Sequence, residues 1–241
     1  MVYFILFMRN KFPMPKVVCF DFDDVLTDKG ALNKLALVFG PSFSELKLAI
    51  ELLEDNKNPK RFFKTARRII KLGQGVKYSR VQDIAKFLDL SKNAKSVLRK
   101  LKSKRCKIVI VSINDENLIK NFLKKNNVLR YIDHIYAARL VVKNGLLTGE
   151  VTGDVIKTEK TGIVNKIEKL YGVKKEHITY VGDGLTDLPI MKMVGRGILF
   201  CPNPVTNAEV LTDRQLIRMK NDGRLFLVED RDLEKIMPFI S

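Results

Sequence analysis

Apolar positions along the chain fall into two interleaved patterns. Lys16-Val-Val-Cys-Phe20, Ile108-Val-Ile-Val111, Ile178-Thr-Tyr-Val181, Gly197-Ile-Leu-Phe200 and Leu225-Phe-Leu-Val228 are short apolar runs that end in polar or turn residues, the pattern of buried strands. Between them, apolar residues recur at helical spacing. They do so at Leu46, Ala49, Ile50 and Leu53, through residues 61–72, at Val81, Ile84, Ala85 and Leu88, and at Leu98 and Leu101. Further along, Leu118, Ile119, Phe122 and Leu123 mark another helix, and Ile163, Val164, Ile167 and Leu170 one that Gly172 stops. Gly73-Gln-Gly75 interrupts the helical region, Asn144-Gly145 marks a hairpin within residues 133–151, and a last helix starts near Asp232.

Strands alternating with helices predict an α/β fold with a Rossmann-like parallel sheet flanked by helices. The long helical stretch after the first strand reads as an insertion. The expected organisation is an N-terminal extension over 1–13, a core from 14–29 and 103–241, and a helical cap over 30–102. In such sheets ligands gather at the carboxyl ends of the strands. The residues there are Asp21 and Asp23 after the first strand, Ser112 after the second, and Asp183 and Asp187 after the third.

Composition narrows the class. With 46% apolar residues among 241 the chain can bury a core, and 8 prolines and 14 glycines exclude collagen-like and linker-dominated chains. Met1 to Met8 is apolar but far shorter than the roughly 20 residues that span a bilayer, and it lacks the basic start and cleavage site of a signal peptide. Cys19, Cys106 and Cys201 have no paired spacing, so a zinc site or disulfide framework is not expected and a reducing, cytoplasmic compartment is.

Charge is the least even property. The net charge is +17, and residues 57–107 alone hold 18 basic residues against Asp83 and Asp89. Such asymmetry points to an anionic partner or is a solvated helical face.

The strand-end residues have a joint chemistry. Carboxylates can hold a hard cation such as Mg2+. Two of them spaced i, i+2 project to one side, where one can attack as nucleophile while the other moves a proton. Ser112 and the backbone N–H groups beyond it can hold phosphate oxygens, and a lysine can neutralise charge developing in phosphoryl transfer.

In this order the set resembles the haloacid dehalogenase superfamily. Asp21-Phe-Asp-Asp-Val-Leu-Thr27 is similar to its first motif, Ser112 to the second, Lys160 to the third and Gly182-Asp-Gly-Leu-Thr-Asp187 to the fourth. Tyr136 to Gly149, Gly153-Asp-Val and the spacing from Lys160 to Gly184 resemble the phosphoserine phosphatase branch. The resemblance implies an Mg2+-dependent phosphatase acting on a small phosphorylated substrate through an aspartyl-phosphate on Asp21. Asp23 would be general acid and base. Ser112, Ile113, Asn114 and Lys160 would surround the phosphate. Asp21, Asp23 (through its main-chain carbonyl) and Asp183 would bind the metal. Asp187 would position Lys160 or a metal-bound water, with Gly184 and Thr186 in support.

The chain departs from that branch at three positions that select serine. Gly30 stands where those enzymes carry a Glu, Ser112-Ile-Asn114 replaces Ser-Gly-Gly, and Thr186 replaces an Asn. A more anionic substrate than phosphoserine is therefore expected, steered by Lys60, Arg61, Lys64, Arg67 and Arg68. The alternative is a non-catalytic or dual-role protein whose basic cap binds nucleic acid or another polyanion. His134 and His177 lie at no motif position and are expected at the surface or a strand edge.

Overall fold

The structure, a computed structural model, describes residues 16–31, 34, 38 and 59–240, with side chains from residue 66 onward in the last stretch. The expected extension over 1–13 and the expected helix over 44–54 lie outside the described residues. Seven strands form one sheet in the order β4-β3-β2-β1-β5-β6-β7. They are β1 Val17–Phe20, β2 Lys107–Asp115, β3 His134–Lys143, β4 Leu146–Thr152, β5 Ile178–Gly182, β6 Arg196–Phe200 and β7 Leu225–Val228. All neighbours are parallel except β3 and β4, which form the antiparallel hairpin. Its turn places Asn144 at φ 52° and Gly145 at φ 76°, the left-handed pair that a two-residue hairpin turn requires.

The apolar runs are buried because helices cover both faces. Val17 to Phe20 and Ile108 to Val111 are fully inaccessible. The helices are α1 Pro59–Leu72, α2 Tyr78–Asp83, α3 Ala94–Ser103, α4 Glu116–Lys125, α5 Asp154–Thr158, α6 Ile163–Tyr171, α7 Leu188–Met191, α8 Pro204–Thr212 and α9 Arg214–Asn221. The stripe at Val81, Ile84, Ala85 and Leu88 is buried as expected, across α2 and the 3-10 turn that follows it. The segment after Asp232 is a 3-10 turn, Leu233–Phe239, rather than an α-helix; Pro238 within it has no amide to donate. Neither α8 nor α9 was predicted; α8 has a weak apolar pattern, whereas α9 buries Leu216 and Met219 at helical spacing.

Within the segment expected to form the cap, α3 packs on β2 and on the C-terminal 3-10 turn, so the helical cover of the sheet already begins inside it. The α1 helix lies instead against β4, where Gly75 N–H donates to Leu147 C=O (2.8 Å) and Leu147 N–H to Val76 C=O (2.9 Å).

The topology fixes the site. β1 pairs with β2 on one side and β5 on the other, with Phe20 level with Ile110 and Val181. The connection leaving β1 runs to β2 on one side and the connection leaving β5 runs to β6 on the other, which opens a crevice at the carboxyl ends of β1 and β5.

Candidate active site

Asp21 follows β1 directly, and its N–H donates to Val181 C=O (2.8 Å), so the sheet ladder carries it one residue further. One carboxylate oxygen, Oδ1, accepts from Phe22 N–H (2.7 Å); the other accepts from Lys160 Nζ (2.7 Å). The chain then turns back on itself, with Asp24 at φ 54°. Thr27 is fully buried, where its Oγ1 accepts from Asp24 N–H (3.2 Å) and donates to Phe22 C=O (3.3 Å). This loop turns Asp23 toward β2. Its Oδ1 accepts from Ala31 N–H (2.8 Å) and its Oδ2 from Asn114 Nδ2 (2.7 Å).

Lys160 is only 2% exposed and lies between Asp21 and Asp187, 2.6 Å from the latter's Oδ1. Burial alone would push its ammonium pKa down, but Asp187 and Asp21 outweigh that and raise it. The corner that delivers it is strained: Glu159 sits at φ 56°, ψ −179°, a region otherwise almost reserved for glycine. Asp187 is fully buried, with Oδ1 accepting from Lys160 and from Tyr180 Oη (2.7 Å), and Oδ2 accepting from the N–H groups of Asp183 and Gly184 (3.1 Å each). Gly182 makes this possible, because a Cβ there would come within 2.4 Å of Asp187 Cγ. The 183–187 loop closes through Asp187 N–H to Gly184 C=O (3.0 Å), with Thr186 half-buried beside it.

Asp21, Asp183 and Asp187 form a group of carboxylates whose ligand atoms lie within 4.8 Å of one another. Asp187 is already engaged at both oxygens, so Asp21 and Asp183 hold the remaining capacity; the Asp183 carboxylate accepts no hydrogen bond among the described residues. Burial, then Asp187 and Asp21, raise Asp183 well above the usual carboxylate range. Burial, against the opposition of Lys160 and with help from Asp187 and Asp23, pushes Asp21 up to about 7. Three carboxylates facing one ammonium leave two negative charges, which an oxygen-seeking divalent cation would offset. The donor set fits such an ion. The Asp23 side chain is outside this group, as expected of a residue read as a metal ligand through its main-chain carbonyl, and is held by Ala31 and Asn114. Burial raises Asp23 to about 6, against the hydrogen bonds from Ala31 and Asn114.

On the β2 side the strand does not end at Ser112 but runs to Asp115, with its pairing to β3 shifting register between Val111 and Asp115. Ser112 is buried and its Oγ accepts from Asn114 N–H (3.1 Å). Ile113 is partly buried against the core. Asn114, read in sequence as a phosphate ligand, spends its side-chain amide on Asp23, to which the irregular strand turns it.

The sequence missed Asp115. It accepts from Asn117 and Leu118 N–H (3.1 Å each) as the cap of α4, from Tyr78 Oη (2.7 Å) and from Leu140 N–H (3.1 Å). An acidic residue just before an apolar helix start was the available signal. Tyr180 was missed too, since it reads as one more apolar strand residue.

Of the residues expected to steer substrate, Arg67 donates to Ile156 C=O (3.0 Å) in α5, which fastens α1 beside the Lys160 corner, and Arg68 is exposed. The side chains of Lys60, Arg61 and Lys64 lie outside the described residues. His134 starts β3 with its ring tilted against that of Tyr136, and His177 is exposed; neither reaches the site. Cys19 and Cys106 are buried and Cys201 half-buried, all free thiols. No helix among the described residues is long and apolar enough to cross a membrane.

Comparison with known proteins places this geometry. The chain is 28% identical over 227 residues to a phosphoserine phosphatase of Methanocaldococcus jannaschii, covering 94% of this chain and 98% of that protein. To one of Wolinella succinogenes it is 26% identical over 206 residues, 84% of this chain and 97% of that protein. A substrate-bound phosphoserine phosphatase structure superposes with TM-score 0.78 and 26% identity over 95% of this chain and all of the other. The profile of haloacid dehalogenase-like hydrolases matches residues 18–192, and the chain belongs to that family.

Proposed function

We propose that this chain is an Mg2+-dependent phosphatase of a small anionic phosphomonoester, working through an aspartyl-phosphate on Asp21. One observation carries the proposal: two carboxylates two residues apart sit in opposite settings. Asp21 rests against the buried Lys160 ammonium, whereas Asp23 is held only by neutral donors. An ammonium against Asp21 favours its ionised, attacking form, and the neutral donors around Asp23 leave that carboxyl able to carry and release a proton.

Asp21 attacks phosphorus as the ester P–O bond breaks, and the proton of Asp23 passes to the leaving oxygen. Asp23, now a carboxylate, takes a proton from water as that water attacks the phosphorus, and Asp21 is released. Lys160 keeps its charge beside the phosphoryl oxygens, and Ser112 with the amides beyond it shapes their pocket. Mg2+ held by Asp21, Asp183 and the Asp23 carbonyl would neutralise phosphate charge. Asp187, saturated by its own hydrogen bonds, positions Lys160 and the Asp183 loop.

Phosphoserine is the substrate named for the relatives, but it is not the preferred substrate in this reading. Gly30 packs against the Asp23-Asp24 loop so closely that a Cβ would meet Asp24 Oδ2 at 2.9 Å, and no side chain reaches from there toward a serine amine. Of the residues expected to steer anions, Arg67 and Arg68 are both exposed on α1, and the bond from Arg67 to a neutral carbonyl leaves its charge in place.

The test is hydrolysis of p-nitrophenyl phosphate with Mg2+, with EDTA, and by Asp21→Asn. Turnover should need the metal and fall by about 10^4-fold or more in the variant. Metal-independent turnover, or an active Asp21→Asn protein, would refute the proposal.

A further inference from the structure

We infer that Asn114 is a positioning residue for Asp23: its amide fixes the carboxyl plane from which the proton reaches the leaving oxygen. The inference rests on the phosphatase reading above and adds a residue to it. Asn114 is only 4% exposed and donates from Nδ2 to Asp23 Oδ2 at 2.7 Å, while Ala31 N–H holds Oδ1 at 2.8 Å. A carboxyl group has about four lone-pair sites, so two donors fix its plane and still leave a position for the reacting proton.

What holds Asn114 is itself fixed on both sides. Its own N–H is bound by Ser112 Oγ at 3.1 Å. The next residue, Asp115, takes hydrogen bonds from Asn117, Leu118, Leu140 and Tyr78. The amide of Asn114 thus stands on an irregular strand end tied to α4, to the hairpin strand β3 and to α2. A group locked in this way costs no reorganisation when the proton moves. Phosphate binding alone does not explain the side chain, because one of its two amide hydrogens already points at a carboxylate.

The consequence is specific to the leaving group. A p-nitrophenolate departs readily without a proton, whereas an alkoxide needs one, and a placed general acid contributes roughly 10^2–10^4-fold where it is needed. The experiment compares kcat/KM for p-nitrophenyl phosphate and ethyl phosphate in the wild type, Asn114→Ala and the near-isosteric Asn114→Asp, with thermal melts of all three and the inhibition constant of inorganic phosphate. The expected result is a loss at least ~10-fold larger for ethyl phosphate than for the aryl ester, with phosphate inhibition nearly unchanged. Equal losses on both esters, no loss, or a matching weakening of phosphate inhibition would overturn it, the last by showing that Asn114 binds phosphate. Should Asn114→Ala fail to fold, Asn114→Asp carries the same comparison. A wild type that hydrolyses neither ester refutes the phosphatase reading itself; a wild type active on both, with variants that lose both equally, refutes the role of Asn114 alone.

Discussion

The two flanks of β1 build their halves of the site by different means. On the β5 side, Lys160, Asp187 and Tyr180 are fully buried, and charge is matched to charge in a closed set of short hydrogen bonds. On the β2 side, Ser112 and Asn114 are neutral, and the strand's own carboxylate, Asp115, is held by backbone amides and by Tyr78 from the segment after α1. The β5 side is rigid because breaking it strands an ion in a poor solvent. The β2 side is rigid because its strand leaves the regular ladder and its polar groups find partners elsewhere. The first should fail through stability and catalysis together, the second by smaller and separable steps.

The comparison breaks most sharply at Asp187. Asp187→Ala would leave Lys160 with one partner and orphan Tyr180 Oη and two amides. Removing one partner of a buried ion pair costs about 3–5 kcal/mol. Urea unfolding should show a loss on that scale, together with near-complete loss of turnover.

Gly182→Ala should come next. Its Cβ would meet Asp187 Cγ at 2.4 Å, whereas a Cβ on Gly184 in the same loop meets nothing within 4 Å. We expect about 1–3 kcal/mol of destabilisation from the first substitution and a far smaller change from the second, read from paired melts.

On the other flank, Tyr78→Phe removes one hydrogen bond to Asp115 and one from Asn117. Its cost should be about 1 kcal/mol, with α4 still capped by Asp115.

The smallest effect expected is pH-dependent and far from the site. Asp133 is lowered below the usual range: burial opposes this, but hydrogen bonds from Lys102 and Ile108 N–H prevail. A depressed folded-state pKa gives stability that is present above the unfolded value, near pH 4, and lost as pH falls through the folded one. Wild type should therefore exceed Asp133→Asn in stability by on the order of 1 kcal/mol at pH 7, and the gap should close in strongly acid solution. A gap that is unchanged in acid would show that Asp133 acts through shape rather than charge.

The strands could be read because buried parallel strands are written as continuous apolar runs, and each of the five expected runs is a strand here. Asp21, Asp183, Lys160 and Asp187 were legible because they stand at those strand ends or in motifs of fixed spacing. The fate of Asn114 was not legible. It depends on a contact with a residue 91 positions away, and on a register shift that lets Ser112-Ile-Asn-Asp115 stay in a strand despite its polar sequence. Arg67 shows the same limit: its exposed charge was legible, but its hydrogen bond to a carbonyl of α5 was not.

The central place of β1 also bears on how the chain folds as it is made. Val17–Phe20 is the earliest strand described and is wholly buried, yet its two partners are Lys107–Ile110 and Ile178–Val181. At a ribosomal rate of about 5–20 residues per second, the second partner follows the first strand by roughly 8–30 s. Through that interval an apolar strand has an open edge, a template for pairing with the wrong chain. The arrangement that gathers the reacting groups from both sides of one strand thus leaves that strand exposed longest during synthesis.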